Sequence, residues 1–203
     1  HVLEIAKKGA LMSTTAGMSL RTKLLGLSAF TVAALALLFA VSLNNEKAQL
    51  IHDRQEKLRN LVESAHATVA HFEKQAKDGK LSDEDARKAA MDALRSVRYD
   101  NVEYFWINDL GKPAPKMIMH PTVPALDGKV LDADRFNKAT SIQPGTDGTV
   151  TAVSGKNLFI AFVEVADAAG HGYVGYQWPR PKAGGGTTDE LYPKLSYVKK
   201  FEP

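Results

Sequence analysis

Hydrophobic positions along the chain follow three successive patterns. Residues 24–43, LLGLSAFTVAALALLFAVSL, form an apolar run without a charged side chain. At the helical rise per residue such a run spans roughly 30 Å, the hydrocarbon thickness of a bilayer. From residue 44 to 77 the chain holds neither Pro nor Gly, and apolar or small residues recur at Ile51, Leu58, Ala65 and Phe72, with Val62, Val69 and Ala76 four places after the last three. That spacing predicts one long helix with a sustained face, which either packs against the domain's own sheet or forms a seam with a second copy. Asp78-Gly79 ends it, and Ser82 ahead of Asp83-Glu84-Asp85 predicts the cap and acidic first turn of a second, shorter helix. After Arg98 the period changes to two. NVEYFWIN predicts a strand, KMIMH its hairpin partner across the turn at 111–115, GYVGYQW a third strand and PKLSYVKKF a fourth, in a largely antiparallel sheet. A Gly/Thr/Asp-rich stretch, 127–155, separates the second strand from a helix predicted over 156–169 and ended by Gly170. A stretch of that length is a lid, an insertion or unrecognised secondary structure.

The apolar run is read as an uncleaved anchor. Ala40-Val41-Ser42 offers a small-x-small cleavage pattern, but the run is longer than the roughly 7–15-residue core of a signal peptide. Arg21 and Lys23 before it favour a cytoplasmic N-terminus, although Lys47, Arg54 and Lys57 beyond it reduce the contrast. The expected organisation is a cytoplasmic segment at 1–23, a transmembrane helix at 24–43 and an extracytoplasmic domain at 44–203, in a bacterial inner membrane. Because MSLRTKLLGL from Met18 reads as a natural start, residues 1–17 are expected not to be native and are set aside from the fold argument.

Composition narrows the function. With 44% hydrophobic and 24% charged residues the chain is a folding one. Its net charge of +3 comes from scattered basic residues among nearly as many acids, so no basic stripe invites nucleic acid. Without cysteine there is no disulfide framework, thiolate nucleophile or Cys-type metal site. No GxSxG, HExxH or complete phosphate loop occurs, since SGKN lacks the final hydroxyl residue. His66 and His71 lie about 140° apart around a helix and share no metal-binding face. Neither an enzyme nor a cofactor or metal site is expected.

The candidate chemistry lies in the aromatic strands. Alternation puts Tyr104, Trp106 and Asn108 on one face of the first strand and Phe105 and Ile107 on the other. Tyr and Trp rings with polar tips serve equally as core or as walls for a small polar ligand, and the same holds for Tyr176, Trp178, Lys194 and Tyr197. His120, before a proline, is either a structural hydrogen-bonder or a site residue.

In order, YFWIND, KMIMHP, LDGKVL, KNLFIAFVEVADAAGHGYVGYQWPRP and YPKLSYVKKFEP behind an N-terminal membrane helix resemble the single Cache domain, second single-Cache type, of bacterial methyl-accepting chemotaxis proteins and sensor kinases. The resemblance covers roughly residues 24–203. It implies an α+β, PAS-like fold: a long N-terminal helix packed behind a central antiparallel sheet, with a ligand pocket on the other side. It also implies binding of small molecules, commonly short-chain carboxylates, and signalling through the membrane to cytoplasmic modules; for this chain a carboxylate of two to four carbons and a homodimer are expected. Residue by residue, it puts Tyr104 and Trp106 on the pocket floor, His120 at its rim, and Tyr176, Trp178, Lys194 and Tyr197 in its wall. Lys194, His120 and the Tyr hydroxyls are donors suited to a carboxylate. No acidic residue in these motifs stands ready for an ammonium group, which disfavours amino acids. Family members continue after FEP into a Trp/Gly-rich strand, a second membrane helix, a HAMP linker and an output domain, so the chain is expected to be an input domain truncated at its C-terminus. The strand before the cut is then expected to present an unpaired edge. The stretch 139–154 looks longer than in the plainest members, so closure over the ligand is expected to differ.

Overall fold

The computed structural model describes residues 17, 19–182 and 186–202. The segment set aside at 1–17 lies, but for Gly17, outside the described residues. The chain divides into two units, 1–53 and 54–203.

Helix α1 (Leu20–Lys77) begins in the first unit, where its apolar side chains, among them Leu24, Phe30, Leu37 and Phe39, are exposed. It is long and apolar enough to cross a membrane near the N-terminus.

In the second unit, α1 ends at Lys77 and Gly79 takes the left-handed conformation (φ 72°) that glycine accepts without a Cβ clash. Helix α2 (Asp83–Ser96) follows, its Ser82 hydroxyl accepting from the Asp85 amide as the cap pattern predicts. The remaining elements are β1 (Ile107–Asn108), β2 (Met117–Met119), two short 3-10 turns (Pro124–Leu126 and Asp134–Phe136), β3 (Ala139–Pro144), β4 (Thr151–Lys156), α3 (Leu158–Ala169), β5 (His171–Pro181) and β6 (Thr187–Lys199). Strands β1 and β2 pair antiparallel, and a four-stranded antiparallel sheet runs β4-β3-β5-β6. The fold is thus the mixed helix and antiparallel sheet that the pattern implied.

Two expectations change. The first strand shrinks to Ile107–Asn108, because Tyr99 and Glu103 close a turn on themselves through positive-φ Asp100 and Asn101. The irregular stretch is in large part the hairpin β3-β4, with β3 between β4 and β5 inside the sheet. Its polar residues hid it: only Ala139 and Gln143 of β3 are buried.

The sheet is sandwiched. On one face α3 buries Phe159, Phe162 and Val165 against Val174, Tyr176 and Phe136. Asn157 caps α3, accepting from the amides of Phe159 and Ile160, while its Nδ2 donates to the Leu131 carbonyl. On the other face runs α1: Tyr173 donates to the Gln55 carbonyl at 3.0 Å, and Lys199 pairs with Glu63. Ala65 and Val69 of α1 pack with Leu94 of α2 and with Phe105, Ile107 and Met119. From Leu58 to Ala76 the seven-residue series is therefore at least half-buried within its own domain, the first of the two alternatives for that face. Among the described residues β6 is an edge strand of the four-stranded sheet.

Candidate functional site

Period-two geometry selects which side chains meet. In β5, Val174, Tyr176 and Trp178 point to the α3 face, and the register Val174↔Ser196, Tyr176↔Lys194 brings Ser196 and Lys194 of β6 to the same face. Trp178 Nε1 donates to the Tyr104 hydroxyl at 3.2 Å. The Tyr104 ring lies 5.0 Å from His120, and the Lys194 ammonium sits 5.6 Å from the centre of the Tyr104 ring, within cation–π range. Tyr176 shares a hydrogen bond with Ser196 at 2.9 Å. Tyr104, His120, Tyr176, Trp178 and Lys194 therefore form one cluster, walled by Phe136 and Phe159 against Trp178.

His120 is held in a defined state. The residue is 2% exposed, and burial pushes its pKa down to about 4, with Asp127 favouring the charge and Lys194 and Arg95 opposing it. The Val123 amide donates to Nδ1 at 3.1 Å, so the neutral ring carries its proton on Nε2. The Asp127 carboxylate accepts from the His120 amide at 2.7 Å and from Arg95 at 2.9 Å, fastening the 120–127 segment to α2. Burial also raises the pKa values of Tyr104 and Tyr176, which remain protonated donors.

Two of the expected residues lie elsewhere. Tyr197 is three residues from Lys194, an odd spacing that turns it to the α1 face of β6, where it meets Tyr173 and His171 and burial raises its pKa to about 12. It does not share a wall with Lys194. Trp106 lies tilted against Phe162, which also meets Tyr176, and donates to Asn108 Oδ1, with no ring contact to His120 among the described residues. Both residues, with Tyr104, line a cavity of about 500 Å³ bounded by Leu58, Val62 and Val69 of α1, Phe162 of α3 and Ser196 of β6. His120, Trp178 and Lys194 are not among its lining residues.

One site residue escaped the sequence. Glu103 accepts from Lys194 Nζ at 2.6 Å, with the Lys194 side chain 13% and the Glu103 side chain 30% exposed. Only its place directly before YFWIND hinted at this, because its partner lies 91 residues away.

The model of the Cache domain matches residues 37–203. The chain belongs to the Cache domain family. It is 35% identical over 192 residues to the methyl-accepting chemotaxis protein McpP of Pseudomonas putida, covering 95% of this chain and 31% of that protein, so the chain spans about a third of that relative's length. A solved periplasmic sensor domain of a chemotaxis protein is 41% identical, with a TM-score of 0.56 over 74% of this chain and 88% of that one. A Cache chemosensory domain solved for carboxylic acid recognition is 30% identical, with a TM-score of 0.57 over 76% and 89%. The two solved relatives are chemosensory sensor domains whose fold this Cache chain shares, and the long helix of this chain is in addition apolar enough near its N-terminus to cross a membrane.

Proposed function

We propose that the chain is the extracytoplasmic input domain of a bacterial transmembrane chemoreceptor that binds a small organic acid of two to four carbons. In this reading residues 24–43 cross the inner membrane, 1–23 lie in the cytoplasm and 44–203 outside it. The receptor works as a homodimer, and its cytoplasmic signalling module belongs to a longer protein. The observation that carries the ligand class is that the Lys194 ammonium and the neutral His120 ring both lie against the Tyr104 ring, beside Tyr176 and Trp178. A cation and neutral donors in a desolvated surround favour an anion of small volume, since charge-assisted hydrogen bonds are about twice as strong as neutral ones. The carboxylic acid recognised by a 30% identical Cache domain supports the same class. Signalling follows when the acid stabilises one arrangement of sheet and loops over another, because a ligand with equal affinity for both transmits nothing.

The test is a thermal-shift screen of the whole chain in detergent against acetate, propionate, butyrate, amino acids and amines, with calorimetry on the hits. A ligand that prefers the folded state raises the melting temperature by mass action. The expected result is a carboxylate hit whose affinity falls more than about tenfold in Lys194→Ala, the fold being kept. Unchanged affinity in that variant removes Lys194 from the site. No shift across the panel from a folded protein overturns direct sensing in favour of a domain that reads a binding protein or serves a structural role.

A further inference from the structure

Lys194 already has an anion. Its ammonium lies between the face of the Tyr104 ring and the Glu103 carboxylate, which it meets at 2.6 Å. We propose that Glu103 is a built-in competitor: its carboxylate occupies the cation that an incoming carboxylate takes, and so sets both the affinity of the site and its preference for anions over neutral analogues. The inference rests on Lys194 being the anion-binding group.

Burial of the two partners fits an exchange. Lys194, at 13% exposure, is enclosed and needs a counter-charge wherever it goes. Glu103, at 30%, is the more exposed of the pair and can return its carboxylate to water with a change of side-chain torsions alone. Its backbone stays fixed, because Tyr99 and Glu103 exchange amide-to-carbonyl hydrogen bonds of 3.0 and 2.8 Å across the turn. A ligand carboxylate therefore replaces the Glu103 carboxylate one for one on Nζ and preserves the pairing of the enclosed cation. The arriving anion still meets the nearby Glu103 charge, whereas a neutral amide has no charge to offer Nζ and leaves the Lys194–Glu103 pair in place.

The competitor is also tied to the long helix. Asp100, in the same turn, accepts from Lys57 of α1 at 2.5 Å. The turn thus meets β6 through the Glu103–Lys194 pair and α1 through the solvent-exposed Asp100–Lys57 pair, and displacing Glu103 breaks the first and leaves the second.

Calorimetry on the whole chain in detergent, with propionate and its neutral analogue propionamide, tests the exchange in wild type, Glu103→Gln, Lys194→Ala and the double variant. Glu103→Gln is expected to bind propionate about tenfold more tightly than wild type, to leave propionamide binding unchanged, and to lose the gain when Lys194 is also Ala. Propionate affinity in Glu103→Gln equal to or below that of wild type, with binding still lost in Lys194→Ala, overturns the competitor and leaves the Lys194 site standing. An equal gain for propionamide overturns it too, by assigning the effect to packing. Absence of binding of acetate, propionate and butyrate by both wild type and Glu103→Gln overturns the Lys194 reading and the competitor with it. Should Glu103→Gln melt early, Glu103→Asp, which withdraws the carboxylate by one methylene, is expected to give a smaller gain in the same direction, and no gain there overturns the proposal.

Discussion

The Trp178 indole donates to the Tyr104 hydroxyl at 3.2 Å across 74 residues of sequence, joining β5 to the segment that leads into β1. Both partners lie in the aromatic cluster, and Tyr104 is 6% exposed. Tyr104→Phe leaves the indole N–H without its acceptor in a site poor in water. The expected loss is about 1–2 kcal/mol of stability. A cycle with Trp178→Phe checks it, with a coupling of the same order in chemical unfolding, and additive losses would show that the bond contributes nothing.

Neutral His120 makes stability fall with acid. Its folded pKa of about 4 lies below the ordinary 6.5, so the unfolded chain binds the extra proton between those values and the native state loses stability as pH drops through that window. Above pH 6.5 and below about 4 this group adds no slope. The contribution is on the order of 3 kcal/mol across the window. Unfolding free energies of wild type and His120→Gln, measured from pH 7.5 to 3.5, are expected to converge as pH falls, while parallel curves would contradict a buried neutral imidazole.

Asn157 stabilises α3 twice, through its cap on Phe159 and Ile160 and its bond to the Leu131 carbonyl. Asn157→Ala is expected to cost about 2 kcal/mol, and Asn157→Asp, which keeps only the cap, about half of that. The two variants are compared by urea midpoints followed through fluorescence of the chain's 2 Trp residues, which both lie in this domain.

Backbone packs against backbone at Gly172. A Cβ there would stand 2.2 Å from the Gln143 carbonyl oxygen and 2.7 Å from Val165 Cγ1, in the pairing of β3 with β5. Gly172→Ala is expected to lower stability by about 3 kcal/mol or more. At Gly79, where nothing lies within 4 Å, the cost of Ala is confined to the left-handed backbone, about 1 kcal/mol. A melting temperature that falls equally in both variants would refute the steric account.

Local chemistry made much of the fold legible. Ser82, Gly79 and Gly170 act on amides and carbonyls a few residues away, so they mark helix ends without knowledge of anything distant. Alternation in β5 and β6 is a property of the strand itself, and the length and apolar composition that make the helix over 24–43 able to cross a membrane are read without any partner. The hairpin β3-β4 was hidden because its stability comes from pairing with β5, while its Thr, Ser and Gly residues resemble those of a loop.

The candidate site divides along the same line. Its aromatic and basic residues stand in recognisable motifs, and the odd spacing from Lys194 to Tyr197 already carries the information that they face opposite sides once both are known to lie in one regular strand. What the sequence by itself determined is therefore which residue types and which elements exist, since capping, periodicity and length act within a few residues. Tertiary structure alone decided that Glu103 meets Lys194 and that Trp178 meets Tyr104, because a contact across 91 or 74 residues depends on strand register and on how the turn at 99–103 delivers the chain to the sheet, and no local pattern encodes either.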